Sequence, residues 1–381
     1  MNFVIQLIVA LLWLRWPGCS AHRIGAAESQ LVANELQLHY RNERFVIVGN
    51  CVNTFGRERM KDWTRRSVLL GLGGSVIAAA VPARASDGPL KVVATTGMIA
   101  DAARTVGGEF VNVTALMGPG VDPHSYRQTR SDILAMTRAD LTLYHGLYLE
   151  AQMEEFLDTL AEERRVVAVA ESIPSDRLIA HDEYKNQFDP HVWMDPELWI
   201  IVVEAVRDAL ISIVPQLEID FRANASAHIA EIRELHDYSK AVLSSVPESS
   251  RTLVTSHDAF SYFGRAYGYE VMGVQGISTQ SEAGLTRVAD LVSLLVERDI
   301  SAIFVESSVS DRNIKALIEG AAARNHKVHI GGHLFSDAMG PEGTYEGTYI
   351  GMIDHNVTTI ANALGGEAPE RGMRGLLSLN L

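Results

Sequence analysis

The sequence predicts an α/β protein with mainly parallel sheets. Short, apolar, β-rich runs alternate with helical stretches, the pattern of βα units, and the alternation begins again after one unusually long helical segment. Hydrophobic residues at 47% and charged residues at 21% are ordinary for a globular chain and exclude collagen-like, disordered and disulfide-rich classes. At 381 residues, two domains are expected. The net charge of −14 argues against nucleic acid, whose phosphates call for a surplus of Lys and Arg.

The start of the chain has its own character. Residues 60–85 read as a secretory signal, with Arg65-Arg66 in a positive start, an apolar run over 68–81 and a small-x-small end at Ala83-Arg84-Ala85. The paired arginines allow a twin-arginine route. The run is too short to cross about 30 Å of hydrocarbon comfortably, so cleavage after Ala85 is expected. Residues 1–59 are then expected to be a gene-model extension, with translation starting at Met60; the alternative is an N-terminal membrane segment. Removing residues 1–85, with their ten basic and five acidic residues, leaves 296 residues at −19. Cys19 and Cys51 go with them. The mature chain then has no disulfide and no cysteine for a lipid, and any metal site must use His and carboxylates. A soluble periplasmic protein is expected.

A first lobe, 86–214, is predicted to hold strands at 91–95, 111–117, 141–145 and 166–170. Helices fall between them at 98–106, 131–137 and 151–162. In 215–247, Leu217, Phe221, Ala225, Ile229, Ile232, Leu235, Tyr238 and Val242 recur at three- and four-residue intervals. That spacing predicts one amphipathic helix of roughly 40 Å, either a surface helix of one domain or a spine joining two. A second lobe, 248–381, repeats the scheme with strands at 252–256, 270–274, 302–306 and 327–330. Its helices are expected at 260–267, 285–298 and 312–324. No sequence repeat relates the halves.

Of thirteen histidines, His228 and His236 are assigned to a solvated face of the long helix, and His22 and His39 to the leader. Asp122-Pro123-His124 ends a Pro- and Gly-rich loop at the carboxyl end of a strand, where α/β folds place ligands. Asp189-Pro190-His191 repeats the tripeptide. Proline fixes the backbone before the imidazole, and the recurrence points to a shared task. Asp195-Pro196 then opens a helix. His257 lies at a strand-to-helix crossover, and Asp337 follows the 327–330 strand. Singly, each has a plain structural reading: a surface His, a helix capped by Ser256 or Asp258, a loop-capping Asp337. Jointly, three imidazoles and a carboxylate form a closed four-ligand set that suits Zn²⁺ and admits Mn²⁺. Imidazoles bind metal only when neutral, so affinity is expected to fall on acidification through roughly pH 6.5.

Five segments together resemble the zinc- and manganese-binding solute receptors of bacterial ABC transporters, the TroA-like family. They are Asp122-Pro123-His124-Ser125-Tyr126; Asp189-Pro190-His191-Val192-Trp193-Met194-Asp195-Pro196; His257-Asp258-Ala259-Phe260-Ser261-Tyr262-Phe263; Gly276-Ile277-Ser278-Thr279-Gln280-Ser281-Glu282; and Ser336-Asp337-Ala338-Met339-Gly340. The likeness covers about residues 89–365. It implies two α/β lobes joined by one long backbone helix, with the metal in the cleft, held by His124, His191, His257 and Asp337. Manganese-specialised members often carry Glu where His257 stands, and the retained His favours zinc or a mixed preference here. The long His- and acid-rich loop of one zinc branch is reduced to His181-Asp182-Glu183-Tyr184-Lys185.

The resemblance implies periplasmic capture of Zn²⁺ or Mn²⁺ and delivery to an inner-membrane ABC permease, by a monomer and without catalysis. A secreted zinc metallohydrolase would use the three histidines with Glu306 or Asp337 as base, but no His-Glu-x-x-His pattern is present. A surface adhesin with incidental metal binding lacks repeats or an anchor to support it.

Overall fold

The computed structural model describes residues 88–181 and 187–378, and apart from them a short antiparallel ladder of Tyr40–Arg41 with Arg44–Phe45. The expected extension, signal and cleavage point, and the stretch 182–185, lie outside the described residues, the ladder excepted. The fold is carried by the compact unit Arg84–Leu381.

Its first lobe is a four-stranded parallel sheet in the order β2-β1-β3-β4: β1 Leu90–Ala94, β2 Val111–Ala115, β3 Leu141–Tyr144 and β4 Val166–Ala168. Central β1 is buried at every position but Lys91, as a parallel strand covered on both faces must be. Helices α1 Gly97–Gly107, α2 Arg130–Arg138 and α3 Glu154–Ala161 connect the strands. Thr96 caps α1 by accepting from the Ile99 amide, and Thr129 with Asp132 forms a capping box on α2.

Helix α4, Pro196–Ile213, begins with Asp195 as its cap and Pro196 in its first turn, then leads to α5, Glu218–Ser244. At 27 residues, α5 runs about 40 Å, as its periodicity predicts. It packs on α1 and α4 from the first lobe and on two helices of the second, α6 Ser261–Tyr267 and α9 Tyr349–Ala363. This is the spine reading of the long helix. His228 and His236 are not on a solvated face: both are buried. They fall three residues after Ala225 and four after Ile232, inside the apolar stripe, and His236 Nδ1 sits 3.2 Å from the Tyr267 hydroxyl.

The second lobe pairs β5 Thr252–Thr255 with β6 Glu270–Gly273, and β7 Ala302–Glu306 with β8 His329–Leu334, both parallel. Helices α7 Leu285–Glu297 and α8 Arg312–Ala323 cover them. β8 begins two residues later and ends four later than predicted. Gly331-Gly332 interrupts its apolar run, and the register shifts between Ile330 and Gly332. α9 is absent from the sequence reading because nearly every side chain along it is buried, leaving no polar face to reveal a helical period. One continuous cluster of buried side chains runs from β1 through α4 and α5 to α9, so the lobes share a core at their base.

Candidate metal centre

Four loops converge on the cleft, three of them following strand ends and the one with His191 leading into α4. The first follows β2. There Asp122 accepts from the His124 backbone amide at 2.9 Å and from the Ser125 hydroxyl at 2.8 Å, folding the Asp-Pro-His segment back on itself. The second repeats the device: Asp189 Oδ1 accepts from the His191 amide at 2.9 Å and from its Nδ1–H at 2.7 Å. The recurring Asp is thus a turn-former in both loops and, in the second, also the carboxylate that orients the imidazole. Asp195 then caps α4 through the Glu197 amide at 3.0 Å.

His257 follows β5. Glu306, the last residue of β7, accepts from the His257 amide at 2.9 Å and meets its Nδ1 at 2.5 Å. Gly273 lets the end of β6 press against this turn, because a Cβ there would lie 2.4 Å from the Asp258 nitrogen. Asp337 follows β8. Asn356 of α9 clamps the preceding backbone, accepting from the Phe335 amide at 2.9 Å and donating to the Phe335 carbonyl at 2.7 Å. The Trp193 indole donates to the Ser336 carbonyl at 2.8 Å across the lobes.

The ligand atoms of His124, His191, His257 and Asp337 all lie within 4.8 Å of one another, and all four residues are buried. His191 Nε2 is the hub, 3.2 Å from His124 Nε2, 3.3 Å from His257 Nε2 and 3.3 Å from Asp337 Oδ1. Asp337 Oδ2 is 3.3 Å from His257 Nε2. A tetrahedron with metal–ligand bonds of about 2.0–2.1 Å has edges of about 3.3 Å, and the separations around His191 match that edge, while the four ligand atoms together span no more than 4.8 Å.

The electrostatics fit a cation. Burial alone would lower the His191 imidazole, but Asp189 and Asp337 outweigh it and hold it up at about 9. His257 is likewise held up against burial by Asp337 and Glu306. Burial would raise Asp337, yet the surrounding imidazoles keep it well below the usual carboxylate range. For His124, burial outweighs the pull of Asp337 and pushes the imidazole down to about 4. A cation bridging the four would replace the protons now held on His191 and His257.

Sequence reasoning named the four convergent residues but passed over most of their supports. Buried His145 meets the Pro190 carbonyl through Nε2 at 2.7 Å and packs edge-on against Trp193. Glu150, raised to about 7 by burial, accepts from the Thr95 hydroxyl at 2.6 Å and from the His145 and Gly146 amides at 2.8 and 3.2 Å. The available signal was a carboxylate or imidazole ending or following an apolar strand, as Glu306 and His145 do. His181 lines the outer cleft of about 670 Å³ that opens beside His124 and is not among the four.

A family model described as the periplasmic component A of a zinc-uptake complex matches residues 92–363. The manganese-binding lipoprotein MntA of Bacillus subtilis is 49% identical over 281 residues, 74% of this chain and 92% of its own. The zinc-binding protein TroA of Treponema pallidum is 46% identical over 280 residues, 74% of this chain and 90% of its own. The solved structure of that periplasmic zinc-binding protein superposes with a TM-score of 0.71, covering 73% of this chain and 99% of the other.

Proposed function

The chain belongs to the family of periplasmic zinc-uptake components, and on that premise we propose that it captures Zn²⁺, with Mn²⁺ as competitor, outside the cytoplasm and delivers it to the permease of a metal ABC transporter. The observation that carries this reading is the buried cluster of His124, His191, His257 and Asp337, drawn from both lobes with ligand atoms within 4.8 Å of one another. Relatives of similar identity are named for manganese and for zinc, so identity does not choose the cargo. The donor set of three imidazole nitrogens and one carboxylate favours zinc.

The boundaries that go with it are a first lobe over 86–214, the linking helix over 215–247 and a second lobe over 248–381. The reading also takes the signal at 60–85 to be cleaved after Ala85, leaving a monomer free in the periplasm.

Catalysis has no place in this site. Four protein ligands close a tetrahedral ion and leave no position for activated water. Both candidate bases are engaged: Glu306 by the His257 amide and ring, Asp337 by two imidazoles. Competitive titration of the chelator-stripped protein with Zn²⁺ and Mn²⁺, alongside elemental analysis of protein from its native envelope, tests the reading. Tight 1:1 binding is expected; a melting temperature unmoved by either ion defeats it.

A further inference from the structure

The segment Gly276-Ile277-Ser278-Thr279-Gln280-Ser281-Glu282 lies between β6 and α7 and supplies none of the four ligands. Its side chains nevertheless reach across the cleft. The Thr279 hydroxyl donates to Asp122 Oδ2 at 2.6 Å, and Gln280 Nε2 donates to the His124 carbonyl at 2.5 Å. Gln280 Oε1 also accepts from Gln152 at 3.3 Å.

These bonds differ from the buried contacts between the lobes. Trp193 to Ser336, Tyr262 to Asp189 and Tyr349 to Trp193 are buried at the base, beside the continuous core. Thr279 is half-buried and Gln280 exposed, on a loop at the rim. They hold the backbone segment of His124, which of the three clustered imidazoles is the one with no carboxylate paired to its Nδ1 among the described residues: His191 has Asp189 and His257 has Glu306.

We propose that Thr279 and Gln280 are positioning residues that hold His124 in ligand register from the opposite lobe, and that losing their bonds speeds the departure of the metal. The inference rests on the metal-receptor reading above. A metal ties His124 to His257 and Asp337 of the second lobe; the loop ties the same segment to that lobe through Asp122 and the His124 carbonyl. Both favour one arrangement of the lobes, so metal occupancy and loop contact are reciprocally linked. Most of the loop's effect falls on metal retention, because association precedes closure while dissociation must undo it.

The test is the rate of metal loss from the natively processed protein, loaded with Zn²⁺ and in parallel with Mn²⁺, on mixing with excess chelator. Thr279→Val removes the hydroxyl at nearly constant volume, and Gln280→Ala removes the bond to the His124 carbonyl. Each is expected to speed dissociation about tenfold, with association within about twofold of wild type and metal-free melting unchanged. Thr279→Ser, which keeps the hydroxyl, is expected to restore the wild-type rate. Unchanged dissociation in Thr279→Val and Gln280→Ala, or a Thr279→Ser protein as fast as Thr279→Val, overturns the inference while leaving the receptor reading intact. A wild-type protein that holds neither ion defeats both.

Discussion

The two Asp-Pro-His loops share a tripeptide and a turn, yet they hold their histidines differently. In the second, Asp189 is fully buried, binds both the amide and the ring of His191, and has its own carbonyl held by the Tyr262 hydroxyl. In the first, Asp122 binds only the amide of His124 and spends its other oxygen on Ser125 and on Thr279 across the cleft. One loop is fixed into the base shared by the lobes; the other is held from the rim. A receptor must bind tightly and still release its cargo, and this asymmetry divides those tasks between a fixed ligand and a releasable one.

The largest expected effect comes from removing the hub. His191 Nε2 lies within 3.3 Å of three other donors, so His191→Ala should abolish the stabilisation that metal confers, about 2.7 kcal/mol at free ion 100-fold above the wild-type dissociation constant. His124→Ala leaves the other three ligands in place and should retain part of it. Thermal melts with and without Zn²⁺ check this; equal losses in the two variants would break the distinction between the loops.

Acidity gives the next largest effect. His191 keeps its proton up to about 9 in the metal-free protein, and His257 is also raised. Affinity should therefore fall about tenfold per pH unit for each proton displaced, starting well above the 6.5 of an unperturbed imidazole. His124, down at about 4, is already neutral and adds no proton competition at neutral pH. Linkage in the metal-free protein has opposite signs for the two loops. The His191 contribution to stability is whole below 6.5 and is lost as pH rises through about 9, whereas that of His124 is lost as pH falls from 6.5 towards 4. Calorimetry of Zn²⁺ binding in buffers of different ionisation enthalpy counts the protons. His124→Ala should leave the count at pH 7 unchanged, and Asp189→Asn should reduce it.

Third is the affinity change on neutralising each turn-forming aspartate. Asp189→Asn keeps a carbonyl oxygen facing the ring but removes its charge, and should weaken Zn²⁺ binding about 10–100-fold. Asp122→Asn touches no imidazole and should weaken it less than about tenfold, mostly through faster dissociation. Stopped-flow and equilibrium titration separate the two. Equal effects would mean that both aspartates act only as turn-formers.

Much of this candidate site was legible because the four clustered residues sit in short, chemically loud segments: two Asp-Pro-His repeats, a His at a crossover, an Asp after a strand. The strands and the spine were legible for the same local reason, a period of apolar residues. What escaped was set by tertiary burial. α9 is enclosed on nearly all sides and shows no stripe, and His228 and His236 read as polar interruptions although the stripe includes them. Glu306 is 49 residues from His257 in sequence and one hydrogen bond away in space, a pairing no local pattern encodes. Asp122 and Asp189 look identical in sequence, and only their depth in the fold separates them.

The smallest expected effect isolates the fixed loop from the metal. The Tyr262 hydroxyl donates to the Asp189 carbonyl at 2.8 Å and accepts from the Ile179 amide at 3.0 Å, in a side chain with no exposure. Tyr262→Phe leaves both backbone groups without this partner and should lower the stability of the metal-free protein by about 1–2 kcal/mol in urea denaturation. The Asp189 carboxylate still faces His191, so the Zn²⁺ dissociation constant should stay within about threefold of wild type. Thr279→Val at the rim carries the reverse signature, unchanged metal-free stability with faster metal loss. If Tyr262→Phe instead speeds release without lowering stability, the base of the cleft is not the fixed side, and the division between the two loops fails.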